Sequence, residues 1–347
     1  MIPVFVATVL TMGEYDRASH AGHRRLCVAP MMDWTDRHAR YFLRLLAPRA
    51  FLYTEMVPAA GLWHAGGERF LPFDPSEHPV ALQLGGSDPE RLSFGAAQAA
   101  AWGYDEVNLN VGCPSDRVQA GQFGACLMAE PELVARCVRA LAGHGIPVTV
   151  KTRIGIDHRD DDAFLDAFID TVAEAGCRTF IVHARKAWLS GLSPRQNREV
   201  PPLNCQRVWW LKQRRPDLEV VINGGITDWE GVRAQLRRVD GVMVGRAVVH
   251  SPYLLAEWDH ALFGGTPPTR HEAVAAYLPY VERQRAAGVR LPAMTKILLG
   301  LFNGCRGAKA WRRYLSEHAP RPAAGVEVIE AALARVPRSR IAESERA

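Results

Sequence analysis

Cys113 has the most distinctive setting for chemistry in this chain. It follows NLNVG (108–112) and precedes Pro114 and Ser115. Val107, Leu109 and Val111 alternate with Asn108 and Asn110, a strand signature that ends at Gly112. Glycine permits a tight bend there, and proline removes an N–H and fixes a backbone angle. A thiol held at the carboxyl end of a strand, beside two asparagines, is placed like a reacting group. Most free cysteines are small core residues instead, and on this stretch alone the two readings stand level.

A reacting thiol needs elements to position it. Strand-like segments recur at 26–29, 51–54, 80–84, 107–111, 148–152, 179–182, 220–222 and 241–244. Helical patterns lie between most of them, among them 89–102, 131–142, 163–175 and 229–237. Eight alternations predict an α/β fold, a (β/α)8 TIM barrel. A doubly wound sheet is the alternative, but GxGxxG is missing after the first strand.

In a barrel all the strands' carboxyl ends meet on one face. Here those ends carry Pro30-Met31-Met32, Glu55, Gln83, Asn110 with Cys113, Lys151 with Arg153, His183 with Arg185, Asn223-Gly224-Gly225, and Gly245-Arg246. Any one has a local structural explanation, but special residues at every end favour a shared site. Loops after the last two strands often bind phosphate through backbone N–H groups, and Arg246 would add a charge-assisted contact. With Lys151 and His183 above the cavity, the arrangement suits flavin mononucleotide. Lys151 would stabilise negative charge on the reduced ring, and His183 would bind ring or phosphate.

The remaining composition narrows the setting. The chain has 347 residues, 48% hydrophobic and 23% charged, which excludes wholesale disorder. Seven cysteines (27, 113, 126, 137, 177, 205, 305) form no CxxC pair and no Cys/His cluster with zinc spacing. They predict reduced thiols, a cytoplasmic location and no metal. Residues 2–10 are apolar, yet no basic residue precedes them and Glu14 and Asp16 soon follow. The expectation is a poorly ordered arm over 1–24, neither a secretory signal nor a membrane span, with Met12 an alternative start.

Charge is uneven along the chain. Residues 265–347 hold 14 Lys and Arg against 7 Asp and Glu, while the preceding residues hold 28 against 30. The barrel is expected over 25–263, followed by a GGTPP linker (264–268). A helical domain is expected over 264–336, with helices at 271–287, 292–302, 306–317 and 325–335, and a disordered tail over 337–347. Within it Lys309, Arg312 and Arg313 share a helix face, with Trp311 and Tyr314 interleaved. A basic face can be merely solvated, but with the charge asymmetry it points to a nucleic-acid backbone.

Several stretches together carry a resemblance. They are APMMDWTDRHARYFLR (29–44), TEMV (54–57), LQLGG (82–86), NLNVGCPS (108–115), VKTRIG (150–155), HARKAWLSGLSPRQNREVPPL (183–203), INGG (222–225), VGRA (244–247) and GAKAWRRYLSE (307–317). These resemble the tRNA-dihydrouridine synthases, the A-type subfamily in particular, from about Cys27 to about His318. The resemblance implies FMN as cofactor, NADPH as reductant, and uridine at positions 20 and 20a of the tRNA D-loop as substrate. It implies Cys113 as general acid, protonating C5 of uracil while hydride reaches C6, and Asn110 as a contact to the target base. Pro30, Met31, Met32, Gln83, Lys151, His183, Asn223, Gly224, Gly225, Gly245 and Arg246 would hold the flavin. Arg195, Arg198, Lys309 and Arg312 would orient the tRNA, whose target base must be extruded into the barrel mouth.

A monomer is expected. Two other readings remain: an FMN-dependent small-molecule reductase of the dihydroorotate or dihydropyrimidine kind, and a non-catalytic tRNA-binding module. The first leaves the basic helical domain without a role, and the second leaves Cys113 without one.

Overall fold

The computed structural model describes residues 23–337. The arm expected over 1–24 and the tail expected over 337–347 lie outside the described residues, apart from His23, Arg24 and Pro337. The strands are β1 (Leu26–Val28), β2 (Leu52–Tyr53), β3 (Val57–Pro58), β4 (Val80–Gly85), β5 (Glu106–Val111), β6 (Val148–Arg153), β7 (Thr179–His183), β8 (Glu219–Asn223) and β9 (Gly241–Val244). All their pairings are parallel, in the order β1-β9-β8-β7-β6-β5-β4-β2, with the short β3 extending the edge of β4. The ring closes where Cys27 of β1 bridges Phe51 beside β2. This is the expected (β/α)8 barrel with helices outside; β3 is an addition that the sequence did not signal.

Two separate cores follow from strand alternation, since successive side chains point to opposite faces. Val107, Leu109 and Val111 belong to the large core between strands and helices. A smaller cluster, Cys27, Ala29, Phe51, Tyr53, Ala81, Ile181, Val221 and Met243, fills one side of the barrel interior. The other side is polar and almost wholly buried: Glu106, Asn108 and Asn110 of β5, with Gln83 and Thr149 from its neighbours. At the closed end Arg24 is buried and ion-pairs with Glu106 and, at 2.8 Å, with Glu219. Thus the last residue of the expected arm is a plug in the barrel floor.

The surrounding helices start and stop where local chemistry dictates. Asp88 caps α3 (Pro89–Trp102), which ends at Gly103 in the left-handed conformation. Beyond β9 the described residues contain helices only, including α10 (Tyr253–Phe263), α11 (Arg270–Ala286), α12 (Leu291–Thr295), α13 (Ala308–His318) and α14 (Val326–Leu333). A capping box of Thr269 and Glu272 starts α11. The helix expected over 292–302 is α12 followed by a tighter turn at Ile297–Gly300. There the backbone of Gly300 abuts the His250 carbonyl so closely that a Cβ would lie 2.2 Å from its oxygen.

The helical region is packed against α1 (Arg37–Leu46), not merely tethered to the barrel. Tyr280 stacks on Tyr41 with ring centroids 3.9 Å apart and meets Nδ1 of His38 at 2.7 Å. Tyr277 packs edge-on against Phe42 and donates its hydroxyl to the His38 carbonyl at 3.1 Å. Tyr277 is fully buried. Its replacement by Ala should cost about 3–5 kcal/mol, the usual range for a buried aromatic. Denaturant unfolding checks this, and a loss near zero would mean the seam carries little of the stability.

Candidate active site

The face where the strands end is built from β5 outward. Asn110 turns inward and its Oδ1 accepts from the backbone N–H groups of Gly112 and Cys113, at 3.1 and 3.0 Å. Its Nδ2 donates to Oε1 of Gln83 at 2.8 Å. The side chain of Asn110 therefore caps the turn on which Cys113 sits. The Cys113 carbonyl accepts from Ala125 N–H at 2.9 Å, closing the loop between them. Gly124 makes that closure possible: its φ is +79°, and a Cβ there would lie 2.5 Å from the Cys113 oxygen. The thiol itself stays partly exposed, with Ser115 Oγ at 3.5 Å.

Across the mouth stands a wall of positive charge. Lys151 Nζ donates to Oδ1 of Asn223 at 3.1 Å, and Asn223 Nδ2 donates to the Met243 carbonyl at 2.7 Å. Burial, and then the neighbouring Arg153, push the Lys151 ammonium down to about 7. Burial, Arg153 and Lys151 hold the His183 imidazole well below its usual range, so it is neutral. Arg153 keeps its guanidinium charge and staples two loops, donating to the carbonyls of Gly112 at 2.8 Å, Lys186 at 3.0 Å and Asn197 at 3.1 Å. Arg185 and Arg198 both feel the repulsion of Arg246.

Most of the residues singled out in the sequence gather here, each at the end of its strand. Pro30, Met31 and Met32 form the loop after β1, where Met31 N–H donates to Thr35 Oγ1 at 2.9 Å and Met32 is 57% exposed. Gln83 is only 1% exposed, with both amide atoms bonded. Gly224 and Gly225 have φ of +112° and +71°; a Cβ on Gly225 would lie 2.2 Å from Cδ1 of Leu203. Gly245 stands beside Met31. Arg246 pairs with Glu199 at 2.7 Å, and Glu199 also reaches Arg195 at 3.6 Å. Arg198 adjoins them, its carbonyl accepting from Arg246.

Lys309 and Arg312 lie elsewhere, on the exposed face of α13 beside Arg313. Of the aromatics interleaved with them, Trp311 is buried and donates Nε1 to the Leu298 carbonyl at 2.8 Å, while Tyr314 stacks on His318. Both are structural.

Two contributors escaped the sequence reading. Asn197 is fully buried and holds the backbone of Trp188 from both sides, at 2.8 and 2.9 Å, so it shapes the loop carrying Arg195 and Arg198. Arg153 was visible only as a strand-end cation; its position two residues after Lys151, on the same inward face, was the available signal. Among the described residues no cluster of His, Cys, Asp and Glu could hold a metal. No helix among them is long and apolar enough to cross a membrane.

A family model described as dihydrouridine synthase (Dus) matches residues 27–336. The chain belongs to the dihydrouridine synthase family. Relatives named tRNA-dihydrouridine(20/20a) synthase are 54% identical in Vibrio cholerae over 317 residues, 90% of this chain and 97% of the relative. The Shewanella oneidensis protein of that name is 56% identical over 312 residues, 89% and 93% of the two chains. That of Xanthomonas axonopodis pv. citri is 56% identical over 317 residues, 91% and 95%.

In this dihydrouridine synthase, two consequences of the geometry can be measured. A lysine whose folded value is about 7 is neutral at pH 9, whereas the unfolded chain still binds that proton. The unfolded state then holds more protons, so stability rises with pH between about 7 and the usual lysine value. Cofactor-free protein should therefore gain melting temperature relative to Lys151→Met across that window. Parallel curves for the two proteins would show Lys151 titrating normally. Separately, Gly124→Ala should cost more than about 1 kcal/mol, because both its φ and the Cys113 oxygen oppose a Cβ. Denaturant unfolding tests this, and an unchanged midpoint would mean the loop relaxes freely.

Proposed function

We propose that this enzyme reduces uridine to 5,6-dihydrouridine at positions 20 and 20a of the tRNA D-loop, using FMN and NADPH. The observation that carries this reading is a clamped, partly exposed thiol facing a mouth of poorly compensated positive charge. Glu199 is the acid that pairs with Arg246 there. The names of the curated relatives point the same way.

The residues present fit a flavin phosphate and ring. His183 Nδ1 and Arg185 Nε are buried without a hydrogen-bond partner, so each has bonding capacity left for a ligand. Gly224 and Gly225 turn with positive φ and let Leu203 and His183 pack directly against their backbone. Asn223, Gly224, Gly225, Gly245 and Arg246 would hold the phosphate side. Lys151, His183, Gln83 and the 30–32 loop would hold the ring and its chain.

FMN, when bound and reduced by NADPH, supplies the hydride that goes to C6 of the uracil ring. Cys113 supplies the other hydrogen: its S–H bond breaks as the C5–H bond forms and the C5–C6 double bond becomes single. The thiolate then takes a proton from solvent. Asn110 fixes the turn through the N–H groups of Gly112 and Cys113, so the thiol approaches from a defined direction. Lys151 is poised to take up a proton when negative charge arrives beside it. Arg195 and Arg198, on the same face, and Lys309 and Arg312, on α13, would contact RNA phosphates. One chain carries every residue invoked, so a monomer suffices, and the substrate places the enzyme in the cytoplasm.

The test is reduction of tRNA lacking dihydrouridine by purified protein with FMN and NADPH, mapped by position. New dihydrouridine should appear at 20 and 20a. Cys113→Ala should lower the rate by about 10²–10⁴-fold, the usual worth of a positioned acid. NADPH oxidation with unchanged tRNA would instead make the small-molecule reductase the better reading.

A further inference from the structure

The polar side of the barrel interior is a single hydrogen-bonded chain with a direction. Gly112 and Cys113 donate to Asn110 Oδ1. Asn110 donates to Gln83 at 2.8 Å, Gln83 to Asn108 at 2.7 Å, and Asn108 to Thr149 Oγ1 at 2.8 Å. Thr149 donates its hydroxyl proton to Oε1 of Glu106, whose other oxygen is held by Arg24. Five side chains thus connect the Cys113 loop to the ion pair in the barrel floor.

Both ends force the same direction. Backbone N–H groups can only donate, so Asn110 must present its oxygen upward and its nitrogen to Gln83. A carboxylate can only accept, so Thr149 must spend its one proton on Glu106 and accept from Asn108. With each end fixed, neither Gln83 nor Asn108 can turn its amide without placing oxygen against oxygen and nitrogen against nitrogen. All five residues are buried, so water offers no substitute partner.

We propose that Thr149 and Glu106, at the closed end of the barrel, are positioning residues for Cys113. This rests on the reading of Cys113 as the proton donor. Neither residue reaches the mouth; they act by holding Asn108 and Gln83 in the one arrangement that accepts from Asn110 Nδ2, so that Asn110 is gripped from below as well as by the two N–H groups of the Cys113 turn. The same polarity decides what Asn110 can offer a ligand. Its oxygen is committed to two N–H groups, and its nitrogen keeps one hydrogen beyond the bond to Gln83. A ligand atom met by Asn110 must therefore be an acceptor, such as a ring carbonyl, not an exocyclic amine. The inner end of the chain thus reinforces a preference expressed at the outer end.

Two variants separate this from simple packing. Thr149→Val keeps the shape but removes the hydroxyl, while Thr149→Ser keeps the hydroxyl but loses a methyl group. The first readout uses cofactor-free full-length protein: the rate of Cys113 alkylation by iodoacetamide, followed by peptide mass spectrometry, relative to alkylation of Cys305. Thr149→Val should raise that ratio several-fold and Thr149→Ser should restore it; general destabilisation would raise both rates together and leave the ratio alone. The second readout is tRNA reduction by the FMN-loaded enzyme. Thr149→Val should lower kcat about tenfold with KM for tRNA and the rate of flavin reduction by NADPH unchanged, and Thr149→Ser should recover kcat. A Thr149→Val protein with wild-type alkylation ratio and wild-type kcat would overturn the proposal, as would a serine variant as impaired as the valine one. If wild-type protein fails to reduce tRNA, the alkylation ratio still decides whether the chain holds the loop.

Discussion

Closure of a parallel ring by a strand of three residues is the constraint on which the rest depends. β1 pairs with β9 through Leu26, Cys27 and Val28 and bridges to the start of the next strand at Phe51. Two backbone hydrogen bonds secure that junction, Val28 to Phe51 and Phe51 to Leu26. Without them β1 and β2 would become open edges, with unpaired N–H and C=O groups. With them every strand runs the same way round a closed interior, and eight carboxyl ends are delivered to one face. The cluster of Cys113, Lys151, His183 and Arg246 is a product of that closure, since these residues come from four different strands or the loops that follow them.

A closed interior must also be filled and satisfied. One side is filled with apolar side chains, but the side lined by β5 is polar, and buried polar groups are stable only when each finds a partner. The ion pair of Arg24 and Glu106 sets the floor; Thr179 adds a bond to Glu219 at 2.8 Å beside it. At the mouth the balance runs the other way. Cations outnumber the acid that pairs with them, and burial, reinforced by the neighbouring cations, pushes Lys151 and His183 toward their neutral forms. An arriving anion would reverse this, so ligand binding and proton uptake are coupled at this face.

The barrel was legible because its outward-facing residues are almost all apolar, Thr152 of β6 excepted. The alternation of Val107, Leu109 and Val111 with polar partners reads like a strand with one wet face. Here both faces are buried, and the asparagines are inside. Sequence pattern registers period two but not which side is solvent. The strand-end residues were legible for a related reason: convergence follows from topology alone. Arg24 was not, because nothing in a short charged segment before the first strand says that it turns inward. Arg153 and Asn197 were missed as organisers because their partners are backbone carbonyls and N–H groups of distant loops, which leave no trace in residue types.

The helical region shows how a local pattern can understate tertiary structure. A GGTPP stretch reads as a flexible linker, yet Arg49 reaches across to it. Its guanidinium donates to the Phe263 and Gly264 carbonyls, at 2.6 and 2.5 Å, and pairs with Asp259 at 2.9 Å. Together with the Tyr41, Tyr277 and Tyr280 stack, this fixes the helices to the barrel at two places. Rigid attachment matters for the proposed reading. A basic face on a loose tether would raise affinity for any polyanion within reach, since effective concentration then depends on the linker's length and stiffness and not on a fixed geometry. A basic face held at a set distance from Cys113 rewards only a substrate whose phosphates and target base match that distance. On that reading, discrimination between a folded tRNA elbow and an arbitrary uridine-containing RNA lies in the seam between α1 and α11 as much as in the residues that touch RNA.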